Sequence, residues 1–258
     1  MEKATLALHV LDVGNADCSL LVQGESAMLI DGGNPEDADH IVTYLHTHGV
    51  EKLDAIIMTH PHADHIGGLE RVINAYHPDT IYYAAVPDGI EERTPLHTRL
   101  MDAVERVGAA MYEASDGALF RLGSAQVEIY PLDVVSDNGN DYSLITRVSF
   151  GEERLLFMGD TLEAAHNALL DSGRDMTATV IKMSHHGGKV NTTRKLLRAV
   201  NPKAAILTCG TENPYHHPHA DTLEALEAFG IPYYRTDVCG DMILRFDGCG
   251  ERFIETTR

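Results

Sequence analysis

Positive charge is what this sequence has least of. Twenty Lys and Arg stand against 39 Asp and Glu, a formal net charge of −19. A broad electrostatic grip on duplex nucleic acid or an anionic membrane needs a basic face, so neither strong non-specific duplex DNA binding nor membrane adhesion is expected. Cysteine is also scarce. Cys18, Cys209, Cys239 and Cys249 form no Cys-x-x-Cys pair, which argues against a disulfide framework or a thiolate zinc site and fits reduced thiols in a cytoplasm. No run approaches the roughly eighteen apolar residues of a membrane span, and residues 1–5 lack the basic start and apolar stretch of a signal peptide. A soluble, cytoplasmic chain is expected. Repeats, low-complexity tracts and Pro/Ser-rich linkers are absent too, so residues 1–258 read as one domain.

What is present is a regular alternation of short strands and helices. Thr5 to Val13, Cys18 to Gln23 and Ala27 to Ile30 are β-rich runs separated by Gly-Asn and Gly-Glu turn signals, which predicts a meander. Ile41 and Leu45, four apart with Gly49 beyond, predict a helix over 37–48. Leu53 to Met58 is almost continuously apolar, as in a strand covered on both faces. A helix near 66–76, a strand near 80–86 and a helix over 96–107 follow, then strands from 110 to 158 broken by a loop at 133–141. The last hundred residues alternate helix (162–171, 192–200, 222–229) with strand (180–184, 204–208 and onward to 256). Two β-rich halves, each with helices, predict an α/β fold, a four-layer αββα sandwich.

The chemistry is concentrated where the buried strand ends, in Thr59-His60-Pro61-His62-Ala63-Asp64-His65-Ile66-Gly67-Gly68. Four potential ligands, His60, His62, Asp64 and His65, lie within six residues. Imidazole and carboxylate together suit zinc, manganese or iron, and two ligand pairs this close can serve two neighbouring ions.

This spacing resembles the signature of the metallo-β-lactamase superfamily. The resemblance implies that His60 and His62 bind one metal and Asp64 and His65 the other. Asp31, in Leu29-Ile30-Asp31-Gly32-Gly33, looks like the early aspartate that orients the histidine loop. Asp160, in Phe157-Met158-Gly159-Asp160-Thr161, looks like the aspartate that bridges both ions. Four further segments occur in the order seen in the hydrolase-like domain of ComEC competence proteins. They are Leu11 to Cys18, Asn140-Asp141-Tyr142-Ser143-Leu144, Lys182-Met183-Ser184-His185-His186-Gly187-Gly188 and Asn213 to His219. The chain departs from that pattern at Asn15, Ala16 and His216, and ComEC-like membrane segments are absent from it.

Either His185 or His186 is expected to turn into the site, and the sequence leaves open which. Asp12, Asp17, Asn140 and Ser143 are expected around the site rather than on the metal, and His217 beside the substrate. His77 and His97 are the only histidines where many members place a further ligand. Both are expected at the surface, so water, the Asn140-Asp141 loop or a later histidine would complete the first ion. The acidic groups Glu91-Glu92 and Glu224 to Glu227 read as solvated surface; the Lys182 and Lys189 pair could attract a phosphate, but exposed lysines read as soluble surface. The resulting expectation is a hydrolase with two divalent transition-metal ions, Zn or Mn, sharing Asp160 and a bridging hydroxide. Asp64, Asp160, His186 and His217 are the expected catalytic groups. Small phosphoesters or short oligonucleotides, phosphodiesters above all, are the expected substrates. Lactam, lactone or thioester hydrolysis is the alternative on the same ions, and a non-catalytic metal-stabilised module the alternative from another class.

Overall fold

The computed structural model describes residues 5–90, 94–130, 132–250 and 252–258, the side chains of 252 and 253 excepted; the Glu91-Glu92 pair lies outside them. In chain order, β1 (Leu6–Val10), β2 (Ser19–Gln23) and β3 (Ser26–Ile30) form the expected antiparallel meander. Then come α1 (Ala38–Thr47), β4 (Ala55–Met58), α2 (Ala63–Ile66), α3 (Leu69–Tyr76), β5 (Thr80–Tyr83), α4 (Pro95–Val107) and β6 (Ala110–Glu113). The second half runs β7 (Ala118–Leu122), β8 (Ala125–Ile129), β9 (Thr146–Phe150), β10 (Glu153–Phe157), α5 (Glu163–Asp171), β11 (Val180–Lys182), α6 (Thr193–Val200), β12 (Ala204–Leu207), α7 (Ala220–Ala228) and β13 (Tyr233–Arg235). A short α8 (Thr236–Cys239), which the sequence does not announce, precedes β14 (Met242–Phe246) and β15 (Arg252–Thr256).

Among the described residues the strands make two mixed sheets, β15-β14-β1-β2-β3-β4-β5-β6 and β13-β12-β11-β10-β9-β8-β7. Side-chain alternation along each strand builds the layers. In the first sheet Leu21, Met28, Ile30 and Ile57 face the second sheet, while Leu20, Leu29 and Ile56 face the helices α1, α3 and α4. In the second sheet Leu155, Phe157, Val180 and Ile206 meet the first, while Leu156, Ile181 and Leu207 lie under α5, α6 and α7. Three apolar layers therefore separate four layers of secondary structure, the expected αββα sandwich. No described helix is long and apolar enough to cross a membrane.

The helix expected over 66–76 is broken at Gly67 and Gly68. Their amides donate to the carbonyls of Gly33 and Gly32, both at 2.9 Å, which ties the histidine loop to the turn after β3. A Cβ at Gly67 would stand 2.3 Å from Pro35 N and 2.4 Å from Ala63 O, so the backbones approach more closely than any side chain allows.

β3 and β4 run parallel, as do β10, β11 and β12. Their carboxyl ends carry Asp31, Thr59-His60, Asp160, His185-His186 and Thr208.

Away from this edge, His166 of α5 is fully buried with Nδ1 2.8 Å from Thr192 Oγ1, and burial brings its pKa down from 6.5 to about 4. The folded chain thus refuses a proton that the unfolded chain accepts. Its contribution to stability is present above pH 6.5 and lost as pH falls toward about 4. We expect the melting temperature of His166→Gln to fall less steeply with acidification than that of the wild type over this interval; parallel curves would contradict the assignment.

Candidate metal centre

Asp31 sits at the end of β3 with φ 59°, a left-handed conformation that Asp and Asn tolerate best after glycine. Its Oδ1 accepts from Thr59 N at 2.8 Å and its Oδ2 from Thr59 Oγ1 at 2.7 Å. His65 Nδ1 lies 2.7 Å from the same Oδ2; because a carboxylate only accepts, Nδ1–H donates and Nε2 turns the other way. His186 is set similarly. It follows His185 in a 3-10 turn after β11, both residues with positive φ (49° and 53°), and its Nδ1 donates to the Thr208 carbonyl at 3.0 Å.

The two Nε2 atoms meet two carboxylates. His65 Nε2 is 3.3 Å from Asp160 Oδ1 and 3.9 Å from Asp64 Oδ2. His186 Nε2 is 3.3 Å from Asp64 Oδ2 and 3.4 Å from Asp160 Oδ2. One donor atom from each of these four residues falls within 4.8 Å of the others. The donor set fits a divalent cation: His65 Nε2, His186 Nε2 and Asp160 Oδ1 are buried and find no hydrogen-bond partner among the described residues, an arrangement that is costly unless something binds them. Charge agrees. Burial alone would drive the proton off His65 and His186, but Asp160, with Asp31 at His65, outweighs it and raises both pKa values well above the ordinary one. Burial would also protonate Asp64, yet His186 and His65 bring it down to about 2.

His60 and His62 lie alongside. His60 Nε2 is 3.1 Å from His62 Nδ1, and the His60 ring is 4.1 Å from that of His65. Burial and the neighbouring His65 hold the His60 pKa well below its usual value, so its ring is neutral, the form in which an imidazole can bind a metal. Ser143 Oγ accepts from the Asp160 amide at 3.1 Å. Asn140 is buried with Oδ1 unpartnered among the described residues. It lines a cavity of about 480 Å³ with His62, Asp64, Asp160, His185 and His217.

Of the two consecutive histidines the geometry brings His186 to the carboxylates, whereas the half-buried His185 turns its ring toward His217 at 5.0 Å. Asp17 is behind His186, its Oδ1 3.4 Å from His186 Nδ1. Asp12 is not at the site: its carboxylate pairs with Arg258, and its amide donates to Asp241 at 2.8 Å. Lys182, expected at the surface, is 3% exposed and paired with Asp17, whereas Lys189 is exposed beside Asp221. His77 caps α3 at the surface, but His97 is half-buried and lines a second, apolar cavity of about 290 Å³ beside His60 and Pro61. Thr59 and Thr208, which hold His65 and His186 in place through Asp31 and a carbonyl, were not singled out by the sequence.

A family model described as the metallo-beta-lactamase superfamily matches residues 11–211. ComE operon protein 3 of Bacillus subtilis (strain 168) is 27% identical over 207 residues, which is 80% of this chain but only 26% of that protein's length. A hydroxyacylglutathione hydrolase of Synechococcus sp. (strain CC9902) is 33% identical over 148 residues, 55% of this chain and 49% of its own. The structure of the metallo-beta-lactamase fold protein YhfI from Bacillus subtilis superposes with a TM-score of 0.59 at 15% identity, covering 94% of this chain and all of that one, a likeness of fold.

Proposed function

Because the chain belongs to the metallo-beta-lactamase superfamily, we propose that it is a metal-dependent hydrolase of phosphoesters, phosphodiesters first, working with two divalent ions of the zinc or manganese type. The observation that carries this reading is the convergence of Asp64, His65, Asp160 and His186 on one point with three of their buried atoms unpartnered among the described residues. These four would hold one ion. His60 and His62 would hold the other with Asp160 between them, and the unpartnered Asn140 Oδ1 would complete it where many members use a further histidine.

Divalent ions there supply Lewis acidity, which lowers the pKa of water and polarises a phosphoryl oxygen. The chain's own residues orient and bind. Burial, with His185 and His186 nearby, brings His217 down to about 4, so its imidazole is neutral at pH 7. Its Nδ1 is buried and without a partner among the described residues. His217 therefore serves as a hydrogen-bonding group for substrate rather than as a source of positive charge. Preference for a phosphodiester rests on Asn140 to Ser143 and His185 to Gly187, which resemble the ComEC-like and phosphodiesterase side of the superfamily. The test is turnover of metal-loaded protein on a generic phosphodiester, a phosphomonoester, a lactam and a thioester; a protein that holds its ions and turns over none of them is a binding module instead.

Acyl transfer to water is the second reading. The apolar cavity beside His60, walled by Met58, Leu100, Met101 and Met111, suits an acyl chain, and one relative is a hydroxyacylglutathione hydrolase by name. A thioester turned over faster than the diester would decide for it.

Charge sets the size of substrate. A net −19 repels a polyanion within the screening length of about 8 Å at physiological salt, whereas bound cations attract one phosphate at contact. We expect a small diester and a short single strand to be turned over better than long duplex DNA. Tight duplex binding that weakens steeply with salt would contradict this, because that slope reports phosphates neutralised by a basic surface.

A further inference from the structure

Two groups of potential ligands share His65. Asp64, Asp160 and His186 line the cavity with the buried His65 beside them; Asp17, Asp31 and His65 lie behind, all buried. The rear group already has a cation. Lys182 Nζ pairs with Asp17 Oδ2 and lies 3.4 Å from the carbonyl of Gly159, the residue before Asp160. Asp17 Oδ1 accepts from Thr208 Oγ1 at 2.5 Å and stands 3.4 Å from His186 Nδ1. The Asp17 backbone is pinned as well, its amide donating to Asp64 O at 3.1 Å and its carbonyl accepting from Gly33 N at 2.8 Å.

Resting on the metal reading above, we propose that Lys182 is a positioning residue whose ammonium substitutes for a metal ion in the rear group, fixes the Asp17 carboxylate there, and through it sets the ring of His186. The physical case is charge placement. A 3% exposed ammonium is retained only against an anion, and removing one member of such a pair leaves the other buried and uncompensated. Asp17 would then have only Thr208 and two imidazoles around it, 3.4 Å from His186 Nδ1 and 3.9 Å from His65 Nδ1. It would be drawn toward any cation at the front group, leaving the His186 ring held by the Thr208 carbonyl alone and looser on the axis that now aims Nε2 at Asp64 and Asp160. Lys182 touches neither substrate nor ion; it acts through Asp17.

The test is cobalt(II) binding by metal-free wild type, Asp17→Asn, Lys182→Met and the double variant, read as affinity and as the visible absorption of the bound ion. Lys182→Met should weaken the ion at the Asp64/His65/Asp160/His186 position by about 10–100-fold, the usual effect of losing an outer-sphere partner, and should change its absorption because the ligand set is rearranged. The double variant should bind no more weakly than Asp17→Asn, since two groups acting through one path are not additive. Additive losses, or a Lys182→Met protein with wild-type affinity and spectrum, would overturn the proposal. Should either single variant fail to fold, the double variant, which buries no unpaired charge, still decides: wild-type cobalt affinity and absorption there would overturn it. No cobalt uptake by the wild type would overturn the metal reading itself, whereas uptake by the wild type with unchanged variants overturns only the role of Lys182.

Discussion

Asp160→Asn should reduce turnover of the best substrate by at least about 10²–10³-fold, the scale of losing one preorganised electrostatic group in an active site, while leaving the fold intact. The asymmetry follows from the contacts. Asp160 presents Oδ1 to His65 Nε2 at 3.3 Å and Oδ2 to His186 Nε2 at 3.4 Å, one oxygen toward each ring. Asparagine keeps the volume, and its backbone amide still donates to Ser143 Oγ. It replaces one oxygen with an amide that can donate but cannot bind a cation, and it removes the charge that two ions would share. Activity and metal content measured on metal-replete protein, beside a thermal melt, check this. Wild-type turnover with full metal content would remove Asp160 from the bridging position, and a fully unfolded variant would show that the buried charge is needed for the fold and not for turnover alone.

Local information made the layered fold and the histidine loop legible. Apolar runs such as 53–58 read as buried strands because every side chain of β4 is indeed covered, and the ligands crowd within six residues just beyond. What stayed hidden depends on distant partners. Asp12 and Asp17 flank the same turn, yet one meets Arg258 and the other meets Lys182; nothing nearby in sequence separates them. The choice between His185 and His186 turns on two successive left-handed residues, which no strand alternation anticipates. Lys182 did carry a signal. It stands two residues after Val180, whose side chain enters the layer between the sheets, so alternation points Lys182 inward too. The general habit of lysines to be exposed outweighed that pattern. His97 was obscured in the same way: it sits among the polar residues that open α4, and only the packing of that helix over β4 to β6 brings it beside the His60 cavity.

Metal-free Asp31→Ala should be less stable than wild type by about 3–5 kcal/mol, the cost of removing one partner from a buried charged pair, and should bind divalent ions about 10–100-fold more weakly. Asp31 is 0% exposed, and its carboxylate receives the Thr59 amide, the Thr59 hydroxyl and the His65 Nδ1–H. Alanine leaves the buried Thr59 amide without an acceptor and the Thr59 hydroxyl and His65 Nδ1–H with only the longer contacts to His60 Nδ1 (3.2 Å) and to each other (3.3 Å), and it must also hold φ 59°, which costs a residue with a Cβ about 1–2 kcal/mol. Asparagine separates these effects. It tolerates the backbone conformation, and its oxygen can still accept from the Thr59 amide, so Asp31→Asn should lie between alanine and wild type in stability. Its NH₂ group, however, faces two donors, so the His65 ring loses its anchor and metal binding weakens in Asn as well as in Ala. Urea midpoints in the presence of a chelator give the stability order, and competition with a chromophoric chelator gives the affinities. An alanine variant within about 1 kcal/mol of wild type, below the lower end of the penalty for a single unsatisfied buried group, would mean that Asp31 does not hold the loop, and the assembly of His65 would then have to be credited to the glycine amides that bind the turn after β3 to Gly67 and Gly68.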